Sequence, residues 1–179
     1  VDHGSAAEDA LVIRPRLESD IPRAAAGLVE VHATDGYPVE GVSQPKIWLT
    51  PPGLLKAWVA EIAGKVVGHV AVSRSNDEEA VSLWLNQSRS NADKVAVLAR
   101  LFVVPEARKR AVGERLMRAA VGYAQDNGIR LVLDVMTKDA AAIRLYTRLG
   151  WTKLGDAIHT FGEGRQATEA VCFVSPTTD

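Results

Sequence analysis

From Val95 to Gly150 the chain alternates between apolar runs of strand character and stretches of helical periodicity, and this alternation limits the folds open to it. VAVLARLFVV, residues 95–104, is apolar at nearly every position, as expected of a strand covered on both faces. Pro105 stops it. Val112, Leu116, Ala119, Ala120 and Tyr123 then recur on one helical face, and Asn127-Gly128 ends that helix. LVLDV, residues 131–135, reads as a second buried strand. Asp139 can cap a helix running through Tyr146 to Leu149, and Gly150 closes it. Strand, helix, strand, helix, strand in this order implies an α/β layered domain with crossover connections.

The flanks add strands. Leu11–Leu17 alternates apolar and basic residues, the pattern of a half-exposed strand. Ser19-Asp20-Ile21-Pro22 reads as a helix start, and the helix is expected to reach about Ala33. Residues 36–53 hold four prolines and three glycines and read as a loop with one short helix near Ile47-Trp48-Leu49. Lys56–Ala63 and Val66–Ser73 form a hairpin expected to turn at Gly64-Lys65. Val81–Leu85 reads as an extended piece before a polar loop. Trp151–His159 and Ala167–Val174 read as a final strand pair around FGEGRQ. The sheet is therefore mixed.

The chain has 179 residues, 47% of them hydrophobic, enough for one core without disulfides. Residues 10–175 are read as a single domain, with 1–9 as a polar, disordered tail and 176–179 as a short C-terminal tail. Val1–Ala10 has no basic start and no apolar core, so it does not read as a signal peptide. No apolar run approaches the roughly 18 residues of a membrane span. Cys172 is the lone cysteine, which excludes a disulfide framework and a multi-cysteine zinc site and makes a reducing, cytoplasmic setting the default. His3, His32, His69 and His159 share no close ligand spacing, so no metal is expected. The formal net charge of −1 lacks the basic excess of a general nucleic-acid or anionic-membrane binder. Any charge-driven binding must come from a local patch.

One such patch stands where chemistry can use it. VVPEARKRAVGERL, residues 103–116, is a strand end, a basic turn and a helix start with small residues. The first turn of a helix leaves backbone N–H groups unpaired, and these, with the helix dipole, attract an anion. Ala111 and Gly113 permit close approach, and Arg108, Lys109 and Arg110 can add charge-assisted contacts. The alternative is an ordinary basic, solvated helix start. There is no G-x-x-x-x-G-K-[ST] and no G-x-G-x-x-G after the first strand.

The segment Arg108-Lys109-Arg110-Ala111-Val112-Gly113 resembles motif A, [RQ]-x-x-[GA]-x-[GA], of the GCN5-related N-acetyltransferase (GNAT) superfamily. LDVMTKDAAAIRLYTRLGW, residues 133–151, resembles its motif B through Leu145, Tyr146, Gly150 and Trp151. The resemblance implies a mostly antiparallel mixed sheet with two splayed parallel strands and helices on both faces. It implies acetyl-CoA as co-substrate, with Leu101, Phe102 and Val103 bonding the pantetheine through their backbone and Lys109 to Glu114, Val112 included, cradling the pyrophosphate. Tyr146 would lie near the CoA sulfur and protonate the leaving thiolate; otherwise it is a core tyrosine. Ala111 stands where the family more often has glycine; alanine is acceptable there if the residue has ordinary helical dihedrals, so little loss is expected. Asp139 stands where many members have an asparagine that contacts the pantetheine arm; it can equally serve as a helix cap alone.

An amine nucleophile must be neutral, and α-amines and lysines need a proton acceptor. Asp134 is the first candidate, since related protein-N-terminal acetyltransferases carry a glutamate at the matching position, and burial would raise its pKa. The bland alternative is a strand residue that does no chemistry. Tyr37, Glu40, Trp48 and His159 are possible walls of an acceptor site. Cys172 reads as core, and Trp48, Trp58 and Trp84 as packing area. The expected activity is acetyl transfer from acetyl-CoA to an amine-bearing small molecule or peptide by direct attack, as monomer or homodimer, without nucleic acid or membrane. The alternatives are a CoA-binding sensor or interaction module with little catalysis, and a transferase of longer acyl-CoA.

Overall fold

The computed structural model describes residues 10–74, 78–161 and 166–177; the expected tail at 1–9 and the FGEGRQ turn at 162–165 lie outside them. In chain order the elements are β1 (Val12–Pro15), α1 (Ile21–Asp35), α2 (Pro45–Trp48), β2 (Leu54–Ile62), β3 (Lys65–Ser73), α3 (Glu79–Ser88), β4 (Val95–Val103), α4 (Val112–Asp126), β5 (Arg130–Met136), α5 (Ala140–Arg148), β6 (Thr152–Phe161) and β7 (Gln166–Val174). The seven strands follow the order β1-β2-β3-β4-β5-β7-β6. The pairs β1–β2, β5–β7 and β6–β7 are antiparallel, and β4–β5 is parallel. The expected mixed, mostly antiparallel sheet is therefore present. The chain groups into two compact units, Val1–Ala71 with Arg100–Ala120, and Val72–Ala99 with Val121–Asp179.

In the first unit, α1 buries Ala24, Ala25, Leu28 and Val31, one face at helical spacing. Asp20, fully buried, anchors the entry to that helix. Its carboxylate accepts from both terminal nitrogens of Arg14 (2.7 and 2.8 Å), from Arg23 (2.6 Å) and from the Leu17 N–H (2.7 Å). A buried carboxylate is tolerable only when saturated in this way. Gly68 on β3 admits α4. A Cβ there would lie 3.0 Å from Leu116 Cδ1 and Val112 Cγ1 and 3.2 Å from the Phe102 carbonyl. The β2–β3 hairpin turns at Ala63-Gly64, one residue earlier than expected, with φ of 51° and 76°. Two positive φ values are the signature of the tight hairpin turn that matches strand twist.

In the second unit, the expected extended piece at Val81–Leu85 is instead the body of α3. Ala80 and Val81 are buried, and Leu83, Trp84 and Leu85 pack against Val95, Val97, Val132, Cys172 and Val174. A five-residue apolar run is compatible with either period, and here the packing of a whole helical side decides. The parallel register of β4 and β5 is three residues long, Val95–Val97 against Arg130–Val132, whereas β5 continues against β7 to Met136. Among the described residues no helix is long and apolar enough to cross a membrane.

Candidate functional site

In the first unit β4 runs out into the basic turn. The Val104 N–H donates to the Val67 carbonyl (2.9 Å), and a 3-10 turn follows at Pro105–Ala107. Lys109 and Ala111 then take φ of 68° and 58°, and α4 starts at Val112. The condition of helical dihedrals at Ala111 is thus not met: it precedes the helix in the left-handed region, and its carbonyl accepts the Arg115 N–H (3.0 Å). Left-handed residues alternating with ordinary ones curl the backbone so that successive N–H groups point into one concavity, which suits an anion. Gly113 is not required by internal packing. A Cβ there would meet Val103 Cγ2 at 3.8 Å, ordinary contact, so the glycine keeps the turn's surface clear.

The three basic residues have different uses. Arg108 forks onto Asp35 (2.5 and 3.3 Å) and also donates to the Val103 carbonyl (3.2 and 3.3 Å), so it braces the turn against α1. Lys109 and Arg110 are exposed. Further along α4, Arg118 pairs with Glu114 (2.6 Å) and Arg115 donates to the Leu11 carbonyl (3.2 Å).

Upstream on β4, Arg100 also has positive φ (59°). Buried His69 on β3 bonds its carbonyl through Nδ1 (2.9 Å), and a carbonyl only accepts, so Nδ1 carries the proton. Nε2 then accepts from Arg16 (2.9 Å), whose guanidinium also donates to the Leu49 carbonyl (2.6 Å). Burial, with the Arg16 and Arg100 charges, pushes the His69 pKa down to about 4, so the ring is neutral. It stacks on Phe102 at 5.5 Å. The Arg100 guanidinium lies 4.7 Å from the Trp48 ring centroid; Tyr37 meets Trp48 edge-on at 5.8 Å, and Glu40 accepts the indole N–H (3.2 Å). Of the four possible wall residues, Tyr37, Glu40 and Trp48 are brought together, whereas His159 lies on β6 of the second unit beside Asp134. Arg16, His69 and Arg100 were missed as a group. The available signal was a single arginine inside the apolar run of β4.

The second unit holds the proposed proton-transfer residues. Asp134 on β5 is half-buried, not buried, and its carboxylate stands 3.3 Å from Nδ1 of His159 on β6. β7 lies between those strands, and the two side chains meet across it. Tyr146 is buried against Trp151 (6.1 Å) and Phe173 (5.9 Å). Burial raises its pKa, as do the charges of Asp139 and Asp134, so the phenol holds its proton at neutral pH. Asp139 caps α5 by accepting the Ala142 N–H (3.1 Å). Cys172 is buried in the core and its thiol is pushed up to about 12 by burial, which leaves it inert at neutral pH. Among the described residues no group of three or more His, Cys, Asp or Glu could hold a metal ion.

Residues 25–151 match the sequence model of the acetyltransferase (GNAT) family. The chain belongs to this family. As a GNAT member it is 33% identical over 97 residues to a probable N-acetyltransferase camello of Xenopus tropicalis, which covers 54% of this chain and 38% of that protein. It is 29% identical over 118 residues to human N-acetyltransferase 8, covering 65% of this chain and 47% of that one. The chain thus spans less than half the length of these relatives. Its fold matches that of Arabidopsis thaliana NAA60 in complex with acetyl-CoA, with a TM-score of 0.69, 20% identity, and coverage of 92% and 97% of the two chains. It also matches the ribosomal-protein-S18-alanine N-acetyltransferase of Escherichia coli, with a TM-score of 0.67, 18% identity, and coverage of 95% and 96%.

Proposed function

We propose that this GNAT protein is an N-acetyltransferase that moves the acetyl group of acetyl-CoA to a primary amine by direct attack. The observation that carries the reading is the turn at Lys109–Glu114. Two left-handed residues, an exposed cationic pair and a glycine that packing does not demand fit the diphosphate of CoA in chemistry and in shape. Bound acetyl-CoA supplies the activated acyl thioester. Leu101, Phe102 and Val103 hold the pantetheine through backbone groups, and an N–H of that strand stabilises charge developing on the thioester oxygen. Arg108 braces the turn from Asp35 and the Val103 carbonyl. Asp139 keeps its capping role and needs no contact with CoA.

Asp134 accepts the amine proton, directly or through water, with the His159 ring 3.3 Å from its carboxylate. Tyr146, protonated at neutral pH as an ordinary phenol is, gives a proton to the departing thiolate, although burial makes it a weaker acid. The family match runs unbroken over residues of both compact units, which supports treating residues 10–175 as one acetyltransferase domain. Cysteine usage supports a cytoplasmic setting.

Calorimetric titration with acetyl-CoA, followed by an amine panel, tests the reading. Saturable binding and transfer are expected. Binding without transfer to any amine establishes the sensor alternative, and no binding defeats the proposal. Asp134→Asn is expected to lower kcat/KM by about 10²- to 10⁴-fold, the usual weight of general base catalysis, while leaving acetyl-CoA affinity intact. Rates with propionyl- and succinyl-CoA decide the acyl range.

A further inference from the structure

Arg100 is a cation set in an otherwise apolar strand, with its Nε buried and lacking any hydrogen-bond partner. No carboxylate among the described residues pairs with it. Glu40, beside its aromatic shelf, accepts the indole N–H of Trp48. Asp20, the buried acid of the same unit, is hydrogen-bonded by Arg14 and Arg23, and its charge acts on Arg16 rather than on Arg100. A second guanidinium, Arg16, belongs to the same cluster through His69, and His69 itself is neutral. The cluster therefore gathers two positive charges on aromatic and imidazole surfaces.

Its geometry is also held firmly. The guanidinium carbon lies over the Trp48 ring, 4.7 Å from its centroid, a cation–π contact that favours this position. The His69 Nδ1–H holds the Arg100 carbonyl and with it the left-handed turn of the strand. A guanidinium presents a planar fork of donors, and its terminal nitrogens match an ionised carboxylate. The next residues, Leu101 to Val103, are those proposed to run along the pantetheine, so a group held by Arg100 stands one residue upstream of them.

We infer that Arg100, supported by Trp48 and His69, anchors a carboxylate of the acceptor, so that the amines this protein acetylates are amino acids or other amines bearing a nearby acid group. The inference rests on the acetyltransferase reading above. An anion on CoA itself is the other source of the same chemistry, and the experiment separates the two.

The full chain is assayed at saturating acetyl-CoA with the common α-amino acids and with their matched α-amino carboxamides, rates being expressed per neutral amine. Wild type is expected to favour acids over amides by about tenfold or more in kcat/KM, with the difference in KM, as one charge-assisted contact predicts. Arg100→Gln is expected to raise KM for the acids by about ten- to a hundredfold and to bring the acid-to-amide ratio near one. Arg100→Lys, which keeps the charge and loses the fork, falls between. Equal rates on acids and amides in wild type overturn the inference and leave the activity standing. So does a ratio that survives Arg100→Gln. Loss of acetyl-CoA affinity in a folded Arg100→Gln, equal for all acceptors, assigns the residue to the donor and overturns it as well. Transfer to other amines of the panel but to neither series overturns the inference and leaves the activity standing, whereas no transfer to any amine defeats the acetyltransferase reading itself. Circular dichroism checks the fold of both variants, and the wild-type ratio decides even if neither folds.

Discussion

His69 makes the first unit acid-sensitive, in a pH range where the other buried charge of that unit is silent. Its ring is fully buried, with Nδ1 tied to the Arg100 carbonyl and Nε2 to the Arg16 guanidinium. Protonation would place a third cation beside Arg16 and Arg100 and remove the acceptor that Arg16 uses. The folded pKa of about 4 lies below the ordinary 6.5. Between those values the unfolded chain binds a proton that the folded chain does not. Stability is therefore fully present above about pH 6.5, falls as pH drops through that value, and levels off below about pH 4. At about 1.4 kcal/mol per pKa unit the full effect is about 3 kcal/mol, of which about 2 kcal/mol is expressed between pH 7 and pH 5. His69→Gln supplies the control, because an amide can donate to one neighbour and accept from the other without titrating. Urea unfolding followed by tryptophan fluorescence at pH 7, 6 and 5 gives the comparison. The variant is expected to be the less stable at pH 7, and its deficit to shrink by about 2 kcal/mol by pH 5. Histidines common to both proteins cancel, and Asp20 stays ionised throughout this range. Two parallel curves would refute the reasoning, because they would mean that His69 takes up its proton in the folded state as readily as in the unfolded chain.

Asp20→Asn leaves Arg14 and Arg23 without their buried partner and is expected to cost about 3–5 kcal/mol, read as a fall in the urea midpoint. Because the Arg14 guanidinium holds the folded Asp20 well below the usual carboxylate range, its contribution is present above about pH 4 and is lost only as pH falls below that; wild type should show this second, lower acid transition and the variant should not. Gly68→Ala drives a Cβ into Leu116, Val112 and the Phe102 carbonyl and should destabilise by about 1–3 kcal/mol, with weakened acetyl-CoA binding because α4 carries the diphosphate turn. Ala111→Gly relieves a left-handed alanine worth about 1–2 kcal/mol, less the entropy glycine adds to the unfolded chain, for a net gain of up to about 1 kcal/mol. A lower melting temperature in Ala111→Gly counts against the left-handed assignment.

The alternation from β4 to α5 was legible because each apolar run was long enough to show its period and each end carried punctuation: Pro105, Asn127-Gly128, Asp139, Gly150. Asp139 illustrates how far local chemistry reaches, since its cap needs only residues three apart. The run at Val81–Leu85 failed for the opposite reason. Its period could not be read over five residues, and the core formed by Val95, Val132 and Cys172 from distant parts of the chain made the choice. The same limit hid the acceptor cluster. Arg16, His69 and Arg100 lie more than thirty residues apart from one another, and no periodicity joins them. The pairing of Asp134 with His159 depends on the interposition of β7 between β5 and β6, a fact of topology rather than of spacing.

Backbone strain tells the same story at the turn. Arg100, Lys109 and Ala111 are three non-glycine residues with positive φ within twelve positions, all in the stretch that leaves β4 and enters α4. Each costs about 1–2 kcal/mol relative to an ordinary conformation. Side-chain sequence gives no sign of this, since alanine at 111 fits a helix start at least as well as glycine does. The strain persists because neighbours over-determine it. His69 holds the Arg100 carbonyl, Arg108 ties the turn to Asp35 and to Val103, and the Ala111 carbonyl closes the first turn of α4. Such strained segments persist where the resulting shape is used. Here that shape curls N–H groups toward an anion at one end and presents a guanidinium at the other. Releasing either brace, by Asp35→Ala for the turn or His69→Ala for Arg100, should therefore loosen one end and spare the other: the first should weaken acetyl-CoA binding with little change in acid-to-amide preference, and the second should do the reverse. Loss of both properties together in a folded variant would show that the two ends are not held separately.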